Sequence, residues 1–162
     1  MASDIVIEGG ERLHAVAAKL RAAGPQGKEL RRGMRRAIQE TAQPLVEDVK
    51  RRALAIPTSG TKSTGLRAAI ARATKLEIRA SGSADHVSIT VRGSLMPPGK
   101  STLPPAMDGT TRWRHPVYGN ANNWVSQDSH PYFTPAVEHA DPSITAAVIA
   151  VVDATALAIM ES

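Results

Sequence analysis

The chain has 162 residues, enough for one ordinary core, and no cysteine, which excludes a disulfide framework, a thiolate metal site and a cysteine nucleophile. Its apolar content of 42% is that of a globular protein, yet only 3% is aromatic, so the core must be built mainly from Ala, Val, Ile and Leu. Charge is divided along the chain: residues 1–80 carry 16 Lys and Arg against 8 Asp and Glu, residues 81–162 carry 4 against 7, and this asymmetry suits an acidic partner, nucleic acid or subunits that meet through unlike faces.

The opening MASDIVIEGG places an acid where an export signal needs a basic region, so no export signal is expected. Asp4 to Glu8 is a short β-branched run that reads as a strand, ended by Gly9 and Gly10. Leu13, Val16, Ala17 and Leu20 then fall at the spacing of one helix face, with Gly24 and Pro25 as a stop. From Lys28 to Ala55 the stripe Leu30, Met34, Ile38, Leu45 and Val49 again has helical spacing. Pro44 is expected to kink or split this helix, because it lacks an amide donor and crowds the preceding turn.

Pro57 ends that run, and residues 58–65 are small and polar. A short helix is expected from Leu66 to Ala73, followed by a hairpin of two alternating strands, Leu76 to Ala80 and His86 to Arg92, joined through Gly82. Residues 93–111 hold the pairs Pro97-Pro98 and Pro104-Pro105 without periodicity and read as an extended loop or arm. Arg112 to Tyr118 reads as another strand, and Asp141-Pro142 as the start of a final helix through Met160. Interrupted by Asp153, rich in Ala and shorter than the roughly 20 residues a bilayer needs, the stretch from Ile144 is expected to be a buried or interfacial helix rather than a membrane span. The expectation is a single α+β domain over residues 1–162: N-terminal helices, a small antiparallel sheet with a long proline-rich loop, and a C-terminal helix packed on the sheet.

Residues that carry chemistry are present without the spacing that chemistry requires. Pro98-Gly99-Lys100-Ser101-Thr102 looks like the end of a phosphate-binding loop, but Gly93 is one residue too far upstream, Pro97 and Pro98 remove amides, and Pro104-Pro105 is expected to block the following helix. Among His14, His86, His115, His130 and His139, no pair has the i, i+4 spacing of metal ligands on a helix. Asp128, Ser129 and His130 are residue types of a hydrolase, yet adjacency in sequence is not triad geometry and no G-x-S-x-G elbow exists. No catalytic residue, cofactor or metal is therefore expected. The cluster Lys28, Arg31, Arg32, Arg35 and Arg36 reads either as a solvated or subunit-facing helix surface or as a clamp for phosphates.

All five aromatic residues, Trp113, Tyr118, Trp124, Tyr132 and Phe133, lie within 21 residues, although core filling by itself would scatter them. They could cap the open end of an Ala-rich core. Together with Arg114 and the neighbouring prolines they also suit a preorganised contact surface, and the two roles are compatible.

This segment is where a family resemblance becomes visible. The chain resembles the head-tail joining or tail-completion proteins of long-tailed bacteriophages, particularly the branch found in phages of actinobacteria. The resemblance rests on the order of five features. They are the strand and Gly-bounded helix from Ile5 to Leu20, the basic helical region ending near Pro57, Thr64-Gly65-Leu66-Arg67 with Ile70, and His115-Pro116-Val117-Tyr118-Gly119 followed by Pro131-Tyr132-Phe133-Thr134-Pro135-Ala136. Val117 stands where many relatives have Glu, the residue usual between Gly65 and Leu66 is absent, and the stretch from Leu95 to Pro105 is longer than a compact hairpin requires.

The resemblance implies a non-enzymatic virion protein, assembled in the host cytoplasm into a homo-oligomeric ring, with a hexamer favoured, at the neck or upper tail. Genomic DNA would pass through that ring without sequence-specific contacts, no membrane would be involved, and the neighbours would be head-completion, neck, tail-tube or terminator proteins. A tail terminator has the same architecture and is an alternative. A small basic DNA-binding protein using Lys28 to Arg36 is the alternative of another class.

Overall fold

A computed structural model of the chain describes residues 5–6, 10–57, 65–79, 86–117, 120–138 and 142–161. The ends of the first expected strand, the polar connection 58–64, the hairpin turn 81–85, Tyr118, Gly119, His139 and the expected cap Asp141 lie outside the described residues. The fold is mixed helix and sheet. The chain gathers into two compact units, Asp4–Glu47 with Lys75–Thr90 and Ala140–Ser162, and Asp48–Thr74 with Val91–His139.

In the first of these units β1 (Ile5–Val6) is followed by α1 (Gly10–Ala22) and the start of α2 (Gly24–Ala55). The stripe Leu13, Val16, Ala17 and Leu20 is buried throughout, as its spacing predicts. The corner between the two helices depends on glycine twice. Gly24 has φ +60, which a side chain disfavours. A Cβ on Gly27 would lie 1.9 Å from the Leu20 carbonyl oxygen, so only glycine permits this approach.

Of the two outcomes expected at Pro44, a kink or a split, the split does not occur: α2 runs for 32 residues with Pro44 inside it. A proline in a helix interior costs about 3 kcal/mol, mostly through the lost hydrogen bond to the carbonyl four residues back. Here Pro44 and Glu40 are both exposed, so water can satisfy that carbonyl, while Ala42, Leu45 and Val46 on the opposite side are buried and hold the helix together.

The hairpin expected after the short helix is present as β2 (Thr74–Arg79) and β3 (His86–Val91). β3 is the middle strand of a three-stranded sheet, and it pairs antiparallel with β1 at Ile5↔Ile89 and Val6↔Ser88. The C-terminal helix of residues Pro142–Met160 packs against α1 and joins the same apolar cluster as the sheet, with Val148 and Val152 meeting Leu13, Leu20, Ile38 and Val87. Among the described residues no helix is long and apolar enough to cross a membrane.

The second unit begins with the end of α2 and α3 (Leu66–Ala73), which Gly65 opens in a left-handed conformation. Thr74 ends α3: its backbone N–H and its hydroxyl both donate to the Ile70 carbonyl, and the chain turns directly into a strand. Residues 93–111, expected to be an extended arm, instead contain a 3-10 turn at Gly93–Leu95 and α4 (Leu103–Asp108). The pair Pro104-Pro105 does not block a helix but starts one, because first-turn residues have no intrahelical use for an amide proton and proline's φ already suits the helix. After α4 come β4 (Trp113–Val117) and β5 (Asn120–Gln127), a two-stranded antiparallel ribbon, and then α5 (Thr134–Glu138). The C-terminal helix described above is α6.

Candidate interaction surface

The ribbon is anchored by a dense set of polar contacts at its base. Asp108, at the end of α4, is buried, and its carboxylate faces the start of α5. Oδ1 accepts from the backbone amides of Tyr132 at 2.7 Å and Phe133 at 2.6 Å, while Oδ2 accepts from the Thr134 amide at 3.1 Å and the Thr134 hydroxyl at 2.6 Å. The free amides of a helix start are thus satisfied by a carboxylate from 24 residues upstream or more, in place of the usual adjacent cap.

Nearby, the His130 amide donates to the Met107 carbonyl at 2.8 Å. The Ser129 hydroxyl lies within hydrogen-bonding reach of the Ala106 carbonyl, at 2.9 Å, and of the Thr111 carbonyl. Asp128 pairs with Arg112 at 2.8 Å on the surface. Asp128, Ser129 and His130 therefore tie the end of β5 to the segment around α4, each through a different partner. Among the described residues, no group of three or more His, Asp or Glu is placed to hold a metal ion.

From that base the ribbon presents two unlike faces. Its register pairs Trp113 with Gln127, Arg114 with Ser126, His115 with Val125 and Pro116 with Trp124. Directly opposed residues share a face, so Arg114, Pro116, Trp124 and Ser126 lie on one side and Trp113, His115, Val125 and Gln127 on the other. On the second side Trp113, His115 and Gln127 are half-buried and Val125 is exposed. The Trp113 and His115 rings lie 4.7 Å apart, and His115 Nε2 is 3.2 Å from Gln127 Oε1. On the first side Arg114, Trp124 and Ser126 are exposed and Pro116 is half-buried, and the Arg114 guanidinium sits 6.0 Å from the centre of the Trp124 ring.

The residues expected at a contact thus divide. Arg114 and Trp124 form the exposed face, Trp113 supports it from the other side, and Tyr118 lies outside the described residues. Tyr132 and Phe133 are instead core residues, each 1% exposed, because Asp108 draws their backbone inward. Burial, followed by the charge of Asp108, pushes the Tyr132 phenol well above its ordinary value.

The basic cluster on α2 divides too. Lys28, Arg32 and Arg36 are exposed at i, i+4 and i+8 and make no ion pair among the described residues. Arg35 donates to the Ile78 carbonyl at 3.0 Å, and Arg31 is half-buried with its Nε unpartnered.

Compared with known proteins, the chain matches no family model, no curated sequence and no solved structure.

Proposed function

We propose that this chain is a structural subunit of the head-to-tail junction of a long-tailed bacteriophage virion, a head-tail joining or tail-completion protein that works by assembling into a ring. The observation that carries this reading is the outer face of the ribbon. A tryptophan 49% exposed, with an arginine guanidinium 6.0 Å from its ring centre, is costly to leave in water, and Trp and Arg are among the residues most often found at the energetic centre of protein contacts. The ribbon stands on a base stitched to Asp108 and Ser129, so it can present that face without much ordering cost on assembly. The order of sequence features shared with the phage family points the same way.

The test has two parts. Purified protein is examined for self-association by sedimentation across a wide concentration range, and its position in intact particles is sought by electron microscopy. A ring in solution or at the neck supports the reading. A strict monomer at high concentration that is absent from virion necks contradicts it. A tail terminator differs from a neck subunit in position, which the same images decide.

A second reading is favoured by one observation. The exposed strip Lys28, Arg32 and Arg36 has the spacing of a helix that lies along phosphates. In a ring such a strip would line the DNA channel or a subunit boundary; in an isolated monomer it would make this a small DNA-binding protein. Salt-dependent binding of duplex DNA by monomer, lost when all three become Ala, would favour the latter.

A further inference from the structure

We infer that the strip of Lys28, Arg32 and Arg36 on α2 binds the phosphate backbone of duplex nucleic acid, through about three phosphates of one strand and without reading bases. The site takes the phosphate reading of this strip as its premise, is independent of any ring, and sets a phosphate contact against a subunit boundary.

The two ends of α2 treat their cations differently. Toward the C-terminal end Arg51 and Arg52 both pair with Asp48, Arg52 at 2.9 Å, so that charge is answered within the chain. Toward the start, Lys28, Arg32 and Arg36 are exposed on successive turns and make no ion pair among the described residues. Glu29 and Glu40 are exposed beside and beyond them, yet among the described residues neither pairs with them. Like charges four residues apart repel along a helix, and Lys28 stands near the positive end of α2, whose first turn holds no acid. Cations placed so as to weaken their own helix call for an anion from outside the chain.

The shape and chemistry of the strip define that anion. Arg35 is turned to the Ile78 carbonyl at 3.0 Å and Arg31 is half-buried, so the open strip is three cations long. Cations four residues apart stand about 6 Å apart along the axis, and the strip extends roughly 12 Å, over which one duplex strand carries roughly three to four phosphates. Between Lys28 and Glu40, α2 exposes no apolar side chain, and a Cβ on Gly33 would meet nothing within 4 Å. A protein contact needs an apolar centre, which this face lacks, whereas phosphates need only cations. Single strands are held by bases stacked on aromatic rings, and α2 contains no aromatic residue. A paired backbone is the polyanion that fits.

The full chain is titrated against a labelled duplex by fluorescence anisotropy, at protein concentrations up to about 100 μM and from about 50 to 200 mM salt. Three phosphates give log affinity against log salt a slope of about −2.7, a loss of about 40-fold over that range. Lys28→Ala, Arg32→Ala and Arg36→Ala should each make the slope shallower by about 0.9, and a duplex of another sequence should bind equally. Arg51→Ala and Arg52→Ala, which remove charges that Asp48 already answers, should leave the slope unchanged. The strip variants should keep the wild-type circular dichroism spectrum and a denaturant midpoint no lower than wild type, because repulsion along the helix is relieved.

A wild-type chain that binds no duplex overturns the phosphate reading and the site together. Salt-dependent binding that survives in all three strip variants, or falls as much in Arg51→Ala, keeps the phosphate reading and removes the site. Strip variants that bind duplex normally but no longer self-associate in sedimentation make the strip a subunit boundary and overturn the site. Tighter binding of a single strand than of the duplex overturns the assignment to a paired backbone.

Discussion

The five aromatic residues arrive together in the sequence and part company in the structure. Phe133 is 1% exposed and Trp124 49%, although they belong to one short segment of the same compact unit. The difference lies in what holds the backbone. Around Phe133 a buried carboxylate gathers three successive amides, and the rings that follow are drawn into the core. Around Trp124 the backbone is one strand of a two-stranded ribbon, in which residues 122–126 are all exposed. Nearness in sequence therefore says little about shared surroundings: one end of the segment is buried in the unit and the other end is exposed.

This contrast can be broken or sharpened by experiment. The largest effect is expected from Phe133→Ala, which should destabilise the protein by about 3–5 kcal/mol, read as a shift in the denaturant midpoint, because a buried ring leaves a cavity. A loss under about 1 kcal/mol would mean that Phe133 is not a core residue. Asp108→Ala should cost about 3 kcal/mol, since buried amides lose a charged acceptor and water reaches them poorly, whereas Asp108→Asn should cost less because it keeps one acceptor oxygen. Equal losses in the two variants would count against the carboxylate acting as a helix cap.

A third test uses pH. The folded-state value of the Tyr132 phenol is raised above its unfolded value near 10 by burial and then by Asp108. As pH rises, the unfolded chain releases the proton first, so the contribution of this group to stability is complete below about pH 10 and is lost at higher pH. In a Tyr118→Phe background, phenolate absorbance should appear only together with the loss of helical circular dichroism. Ionisation near pH 10 with the fold intact would show that the phenol is open to water.

The smallest effect on stability is expected at the exposed end. Trp124→Ala should change the unfolding free energy of the monomer by less than about 1 kcal/mol, since the ring already meets water and its contact with Arg114 is an exposed one. A loss of several kcal/mol would place Trp124 with Phe133 as a structural residue and remove the main support for a docking face.

Much of the helical architecture could be read in advance because helix period and burial are local properties. Leu13, Val16, Ala17 and Leu20, then Met34, Ile38, Leu45 and Val49, occupy the buried sides their spacing indicates. The same holds for the limits of α3 and for the strand pair that follows it. Three features escaped. Strand β5 reads NANNWVSQ, and asparagines are poor strand formers, so only its pairing with β4 makes it a strand. Helix α4 was hidden behind a proline pair that marks loops as often as helix starts. The Asp108 cap spans 24–26 residues, beyond any local capping pattern.

By itself, then, the sequence determined helices α1, α2, α3 and α6, the β2–β3 hairpin, the thinness of an aliphatic core and the concentration of aromatics in one segment. Those follow from periodicity and composition, which act over a few residues. Only the tertiary structure decided that α2 passes unbroken through Pro44 and that Asp108 gathers the start of α5. It also decided that Trp124 and Arg114 face outward while Tyr132 and Phe133 face in. Each of these depends on which distant group satisfies a backbone amide or carbonyl and which side of an element finds a partner, and such choices are settled when separated segments pack together.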